Sequence, residues 1–271
     1  MRTLVMGVLN VTPDSFSDGG RWMDPEAAVA RGLAMLEEGA DIIDVGGESS
    51  RPGAIPVDQA TELSRVVPVI TELARHARVS VDTAKASVAE AAVAAGASLI
   101  NDISASLAPV AAAGGVGWVA MHMRATPATM QQSVSYADVV GEVCHYLAGR
   151  AAWATDLGVG EIWIDPGIGF AKTSRHNLEL LRHLSKLVGL GFPVVIGTSR
   201  KSFLGPLSSL PGEAPAGVED RLEASLATAV WCAERGAAMV RVHDVKVTVS
   251  ALALAGHRRD RLLGASSGAA G

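Results

Sequence analysis

The sequence predicts an α/β protein: a single-domain (β/α)8 TIM barrel with its active site at the C-terminal ends of the strands. Three observations predict it. One unit repeats along the chain, a short β-branched run, a polar or Gly-rich turn and an Ala-rich helical stretch closed by Gly, and this alternation implies a parallel sheet. The unit recurs eight times in 271 residues, or about 34 residues each, the size of one βα repeat. The first run is followed by VTPDSFSDGG, not by the G-x-G-x-x-G that an open doubly wound sheet carries there, which favours closure.

The first run covers 3–10, with a helix over 24–38. Asp24-Pro25 supplies its N-cap and a proline at the first helical position, and Gly39 ends it. The second run is 41–45, with a loop to Pro56 and a helix over 58–75. The third is 79–82, with a helix over 85–95 closed by Gly96. The fourth is 98–103, with a weak helix over 107–113. The fifth is 117–122, with a loop over 124–136 and a helix over 138–157. The sixth is 161–165, with a helix over 175–187. The seventh is 193–197; a Pro/Gly-rich insertion, 205–217, precedes its helix over 219–235. That helix carries Leu222, Leu226, Ala229, Val230 and Ala233 at helical spacing, a core-facing stripe. The eighth is 239–243, with a helix over 246–255. The barrel domain spans 1–263, and 264–271 (GASSGAAG), which has no pattern, is expected to be disordered.

Composition excludes several classes. Lys and Arg total 23 against 28 Asp and Glu, a net charge of −5, which argues against nucleic acid as a partner. With 49% apolar residues the chain is not intrinsically disordered, and 2 cysteines make no disulfide scaffold. The longest charge-free run, 103–121, contains Pro109, Gly114, Gly115 and Gly117, so no membrane span is expected. The apolar stretch 3–9 is too short for a secretory leader. Two isolated thiols, Cys144 and Cys232, then point to a cytoplasmic protein.

In such a barrel the chemistry stands where strands end. The polar residues there are Asn10 and Asp14; Asp44, Glu48, Ser50 and Arg51; Asp82; Asn101 and Asp102; His122; Asp165; Thr198, Ser199, Arg200 and Lys201; and Arg241, His243 and Asp244. Turn and N-cap preferences account for some, such as Asp44 and Asp244. They do not account for Arg241 and His243, which alternate with Val240 and Val242 and so share one face of a strand. Asn10, Arg51, Arg241 and His243 form a basic, amide-bearing set suited to a polyanion such as pyrophosphate, with surface salt bridges as the plainer reading. Asp82, Asn101, Asp165 and Lys201 form a second set. It suits the two parallel N–H donors of an amino-pyrimidinone edge; a structural Asp–Lys ion pair is the alternative. Loops 12–22 and 46–56, rich in Gly, Ser and Pro, read as lids. The segment GIGFAK (167–172) reads as a tight turn admitting a flat ligand.

The strings MGVLNVTPDSFSDGG (6–20), DVGGESSRPGA (44–54), VSVDT (79–83), NDIS (101–104), DPGIGFAK (165–172), GTSRKSFLG (197–205) and RVHDV (241–245) closely resemble bacterial dihydropteroate synthases. The resemblance runs in order from Met6 to Val245. It implies a transferase of folate biosynthesis, a sulfonamide target that joins p-aminobenzoate to 6-hydroxymethyl-7,8-dihydropterin pyrophosphate and releases pyrophosphate. It implies that Asp82, Asn101, Asp165, Lys201 and Gly197 hold the pterin, with Met121 nearby. Asn10, Arg51, Arg241 and His243 would meet the pyrophosphate, with Mg²⁺ at Asn10. Phe16, Ser50, Pro52, Phe170 and Ser199 would surround the aminobenzoate, and Asp18 would organise the closed site. Catalysis would rest on Lys201, Asp165, Asp82, Asp18 and Arg51, in a homodimer. Ala105 and Ala125 stand where glycine is usual and put the local backbone in question. A corrinoid-methyltransferase pterin barrel would lack SRKSFLG with RVHDV, and a silent paralogue would lose the arginine of Ser50-Arg51-Pro52; both features are intact.

Overall fold

The computed structural model describes residues 2–12, 24–49, 54–124, 134–209 and 212–258. Eight parallel strands alternate with helices: β1 (Leu4–Asn10), α1 (Pro25–Glu37), β2 (Ile42–Gly46), α2 (Gln59–Leu73), β3 (Arg78–Asp82), α3 (Ala86–Ala94), β4 (Leu99–Asp102), α4 (Ala108–Gly114), β5 (Gly117–Met121), α5 (Val139–Asp156), β6 (Ile162–Asp165), α6 (Ser174–Arg182), α7 (Leu184–Val188), β7 (Val195–Ile196), α8 (Leu222–Glu234), β8 (Met239–Val242) and α9 (Val245–Leu254). The strands pair in the order β6-β5-β4-β3-β2-β1-β8-β7, and a parallel bridge from Ile164 to Val194 brings β6 to β7 and closes the ring.

Side chains alternate across each strand, so a period of two separates two cores. Met6, Ile42, Leu99, Val119, Trp163, Val195 and Met239 form one buried cluster inside the barrel. Their neighbours Val5, Ile43, Ile100, Trp118, Ile164, Ile196 and Val240 belong to the larger cluster between barrel and helices. Thus the inner core is filled by side chains and is no channel.

Local signals set the helix starts. Asp24 accepts from the Glu26 amide at 2.9 Å, and Thr173 caps α6 with His176 in a reciprocal capping box. Two expected helices differ. The stretch 175–187 is two helices, broken at His183 (φ −103°, ψ 25°), beyond which Leu184 and Leu187 are fully buried. The stretch 219–235 begins as a 3-10 turn (Glu219–Arg221), and α8 starts at Leu222. On α8, Ala229, Val230 and Ala233 join the core, whereas Leu222 and Leu226 are half-buried outside it. Residues 13–22 of the first expected lid, 50–53 of the second, Ala125 and the tail 264–271 lie outside the described residues. Among the described residues, no helix is long and apolar enough to cross a membrane.

Asp102 faces outward at the end of β4 and is fully buried. It accepts from the Ser104, Ser106 and Leu107 amides at 2.9, 2.7 and 2.6 Å, and from Trp118 Nε1 at 3.1 Å. It therefore builds the β4–α4 turn. Asp102→Ala strands several buried donors, and urea unfolding should show a loss of roughly 3 kcal/mol.

Candidate active site

Advancing two residues along the inner face of seven strands leads from apolar core to Val8, Asp44, Asn101, Met121, Asp165, Gly197 and Arg241; on β3 the same row reaches Ser80 and then Asp82. One strand pleat thus converts a hydrocarbon floor into a polar mouth.

Arg241 is the centre of that mouth. Its Nε donates to Asp44 Oδ2 at 2.6 Å and its Nη2 to Asp82 Oδ2 at 2.7 Å. Asn101 Nδ2 donates to the same Asp44 oxygen at 2.9 Å. Asp44 is 0% exposed, and its Oδ1 has no hydrogen-bond partner among the described residues. Burial works against the Arg241 charge, but the attraction of Asp44 and Asp82 outweighs it and raises its pKa. Burial raises Asp82 to about 7 against the pull of Arg241, and the Asp44 charge adds to the rise.

Across the mouth Asp165 Oδ1 accepts from the Gly167 amide at 2.7 Å. Burial raises its pKa despite the nearby Lys201. Lys201 Nζ donates to Ile168 O and lies 4.6 Å from the Phe170 ring centroid. Burial lowers Lys201 to about 8, and Asp165 opposes the shift. The turn between them needs its glycines. Gly167 has φ 65°, and a Cβ there would stand 2.0 Å from His122 O; a Cβ on Gly169 would stand 2.9 Å from Lys201 Cδ. GIGFAK is a tight turn, as expected, and what it admits in this structure is the His122 carbonyl and the Lys201 stem.

On the third side, Ser199 Oγ lies 3.0 Å from His243 Nδ1 and accepts from the His243 amide at 3.2 Å. Arg200 turns away at φ 61°, paired through Nε and Nη2 to Asp244 at 3.0 and 2.6 Å. Among the described residues the non-glycine positive φ values are those of Ala105 (51°), Ala171 (48°) and Arg200, each in a loop after a strand's C-terminal end. Strain of this kind collects at functional rims. Two clefts of about 360 and 420 Å³ open at the opposite end, where Glu161 pairs with Arg78 at 2.5 Å and accepts from Trp163 Nε1 at 2.6 Å. Their charged groups, Arg78 and Glu161, pair with each other.

Comparison with known proteins agrees. The family of pterin binding enzymes matches residues 6–243. A curated dihydropteroate synthase from Mycobacterium leprae is 48% identical over 261 residues, 93% of this chain and 92% of that one. The chain belongs to the dihydropteroate synthase family. The crystal structure of the Yersinia pestis dihydropteroate synthase with a sulfonamide drug complex superposes with a TM-score of 0.86 at 41% identity, covering 94% of each chain. Xanthomonas albilineans dihydropteroate synthase superposes with TM-scores of 0.85 with 4-aminobenzoic acid and 0.81 with 7,8-dihydropteroate, at 46% and 44% identity, each covering 93% of this chain and 92% of that one.

In this chain the fold brings together Asp82, Asn101, Asp165, Lys201, Arg241, Gly197 and Met121 on one inner rim. Asn10 stands on the rim next to Gly46, itself beside Asp82. Ser199 and His243 form their own pair, and Phe170 meets Lys201. Arg241, grouped from sequence with the basic set, is bonded to the carboxylate set. The Asp–Lys ion pair considered above is replaced by Arg241 with Asp44 and Asp82; no ion pair within 4 Å joins Lys201 to Asp82 or Asp165 among the described residues. Phe16, Asp18, Ser50, Arg51 and Pro52 lie outside the described residues. Asp44 is the residue that turn statistics misassign: it stands inside β2, and the apolar flanks Ile42 and Ile43 are the signal of a buried strand position.

Removing the guanidinium tests this arrangement. Arg241→Met leaves two buried carboxylates facing each other and should cost about 3–5 kcal/mol near pH 7. Burial already raises Asp82, and losing the Arg241 charge raises it further, so the folded state binds more protons than the unfolded one and the loss shrinks as pH falls toward about 5. Urea titrations at the two pH values check both the size and the sign.

Proposed function

We propose that the chain catalyses the joining of p-aminobenzoate to 6-hydroxymethyl-7,8-dihydropterin pyrophosphate, giving 7,8-dihydropteroate and pyrophosphate. One observation carries this reading: two carboxylates, Asp82 and Asp165, a carboxamide, Asn101, and an ammonium, Lys201, face one another around the mouth. Carboxylates there accept the paired N–H groups of an amino-pyrimidinone ring, and Asn101 and Lys201 supply donors for its ring acceptors. The carbon–oxygen bond to pyrophosphate breaks ahead of attack, in an SN1-like substitution. Asp165 and Asp82 favour the positive charge that then develops on the pterin methylene. The arylamine nitrogen is neutral at pH 7 and forms the new bond without a strong base. The Ser199 hydroxyl and Phe170 ring are placed to orient the aminobenzoate. Arg51, Arg241 and His243, with Asn10, take the pyrophosphate, and the lid loops with Phe16, Asp18, Ser50 and Pro52 exclude water.

Mg²⁺ belongs to the same reading. Among the described residues no group of three His, Cys, Asp or Glu side chains forms a metal cage. Mg²⁺ on a phosphate substrate needs none, because it keeps several waters and takes one or two protein oxygens. Asn10 fits that role: its carboxamide oxygen stands on the rim, where a Cβ added at Gly46 would be 3.7 Å away. The ion supplies neutralisation of the leaving pyrophosphate. Free Cys144 and Cys232 support a cytoplasmic protein, and exposed Trp231 and Val247 on α8 and α9 support a homodimer through the late helices.

Incubation with the pterin pyrophosphate, Mg²⁺ and p-aminobenzoate should give dihydropteroate, with sulfonamides competing against p-aminobenzoate; no product from folded protein contradicts the assignment. The pH dependence is a second test. Asp82 accepts N–H donors above about 7, and Lys201 keeps its charge below about 8. A plot of kcat/KM for the pterin pyrophosphate against pH should therefore be bell-shaped, with limbs near those two values. A profile flat from about pH 6 to 9 contradicts these roles.

A further inference from the structure

Lys172 takes no part in the reaction above, yet it is only 4% exposed. Its Nζ reaches four acceptors: Gly167 O and Phe170 O at 3.1 Å, His122 O at 3.2 Å and His122 Nδ1 at 3.0 Å. Burial lowers its pKa to about 7 against the pull of Asp165, and in the charged form all three N–H groups are engaged. His122 is built to receive one. Burial, and then the Lys172 charge, push its pKa down to about 3, so the ring is neutral, and accepting at Nδ1 places its proton on Nε2. Its ring is held edge-on to Tyr146, centroids 5.0 Å apart.

Two of those carbonyls belong to one turn. Phe170 N donates to Gly167 O at 3.1 Å, and Gly167, Gly169 and Ala171 all have left-handed φ values of 65°, 84° and 48°. Such a run persists only where its surroundings over-determine it. Lys172 grips the turn at both ends, and Tyr136 Oη adds a bond to Ala171 O at 3.1 Å. The same turn carries three groups of the site. Ile168 O accepts from Lys201 Nζ, the Phe170 ring faces that ammonium, and Gly167 N holds Asp165.

We propose that Lys172 is a positioning residue for the reaction: its buried Nζ locks the 167–171 turn to the end of β5 and thereby sets where the Lys201 ammonium and the Phe170 ring stand. The inference rests on the reaction proposed above. Without the clamp, Lys201 and Phe170 remain in the chain but lose their registration. Displacement of this kind is costly, since an error of about 1 Å in a catalytic group lowers rate by about a hundredfold.

The test compares wild type with Lys172→Met, which keeps the stem and removes every donor, and Lys172→Gln, which keeps two N–H groups. Each is verified as folded by circular dichroism and assayed well below its unfolding midpoint. The expected result is graded: kcat/KM falls about 10- to 100-fold in Lys172→Met and less in Lys172→Gln. KM for p-aminobenzoate rises, and the Kd of a non-reacting pterin, read by fluorescence, rises with it. If Lys172→Met does not fold, Lys172→Gln decides. A folded variant whose kcat, KM and pterin Kd match wild type, with only its thermal midpoint lowered, overturns the proposal and leaves Lys172 structural. An inactive wild type that also fails to bind pterin overturns the functional reading itself, and the two failures are distinct.

Discussion

The site depends on one guanidinium shared by two buried carboxylates. Arg241 reaches across the barrel from β8 to Asp44 on β2 and Asp82 on β3, and Asn101 on β4 completes the set. One positive charge between two negative ones leaves a residual negative potential at the mouth. Burying such a cluster gains little stability over an apolar core. Its return lies in geometry: four strands are held in register at the height where a ligand edge must meet fixed acceptors, so little reorganisation is left for the reaction.

The opposite wall is made differently. There the backbone folds back on itself after β6, and a lysine ammonium, not a carboxylate, organises it. Gly167 lets the His122 carbonyl approach, Gly169 lets the Lys201 stem pass, and Ala171 takes a conformation that costs an L-residue about 1–2 kcal/mol. Ala105 does the same after β4, while Asn101 and Asp102 keep their partners. Rigid strands on one side and strained turns on the other frame the same mouth.

Much of this was legible in the sequence because it depends on local rules. Eight β-branched runs, Gly stops and the Asp24-Pro25 cap locate the units. The alternation of Arg241 and His243 with Val240 and Val242 places one inner face. The rest depends on contacts between distant residues. Asp44 reads as a turn residue until Arg241, 197 positions away, is seen to bind it. Arg241 reads as a phosphate ligand, and its bonds to the two carboxylates leave no trace in the sequence. The break at His183 follows from burial of Leu184 and Leu187, which no capping signal announces. Lys172 carries no periodic signature, since its partners are mostly backbone carbonyls.

Under the proposed function, Arg241 and its carboxylates act as one unit in presenting the site to a pterin. A double-mutant cycle measures that directly, using Asp44→Asn, Arg241→Met and the combined variant, read by the Kd of a non-reacting pterin. Residues that share one buried network couple, so the two changes should be non-additive by about 2 kcal/mol or more. Effects that simply add, to within about 0.5 kcal/mol, would show that Asp44 and Arg241 bear on the ligand independently and contradict the account.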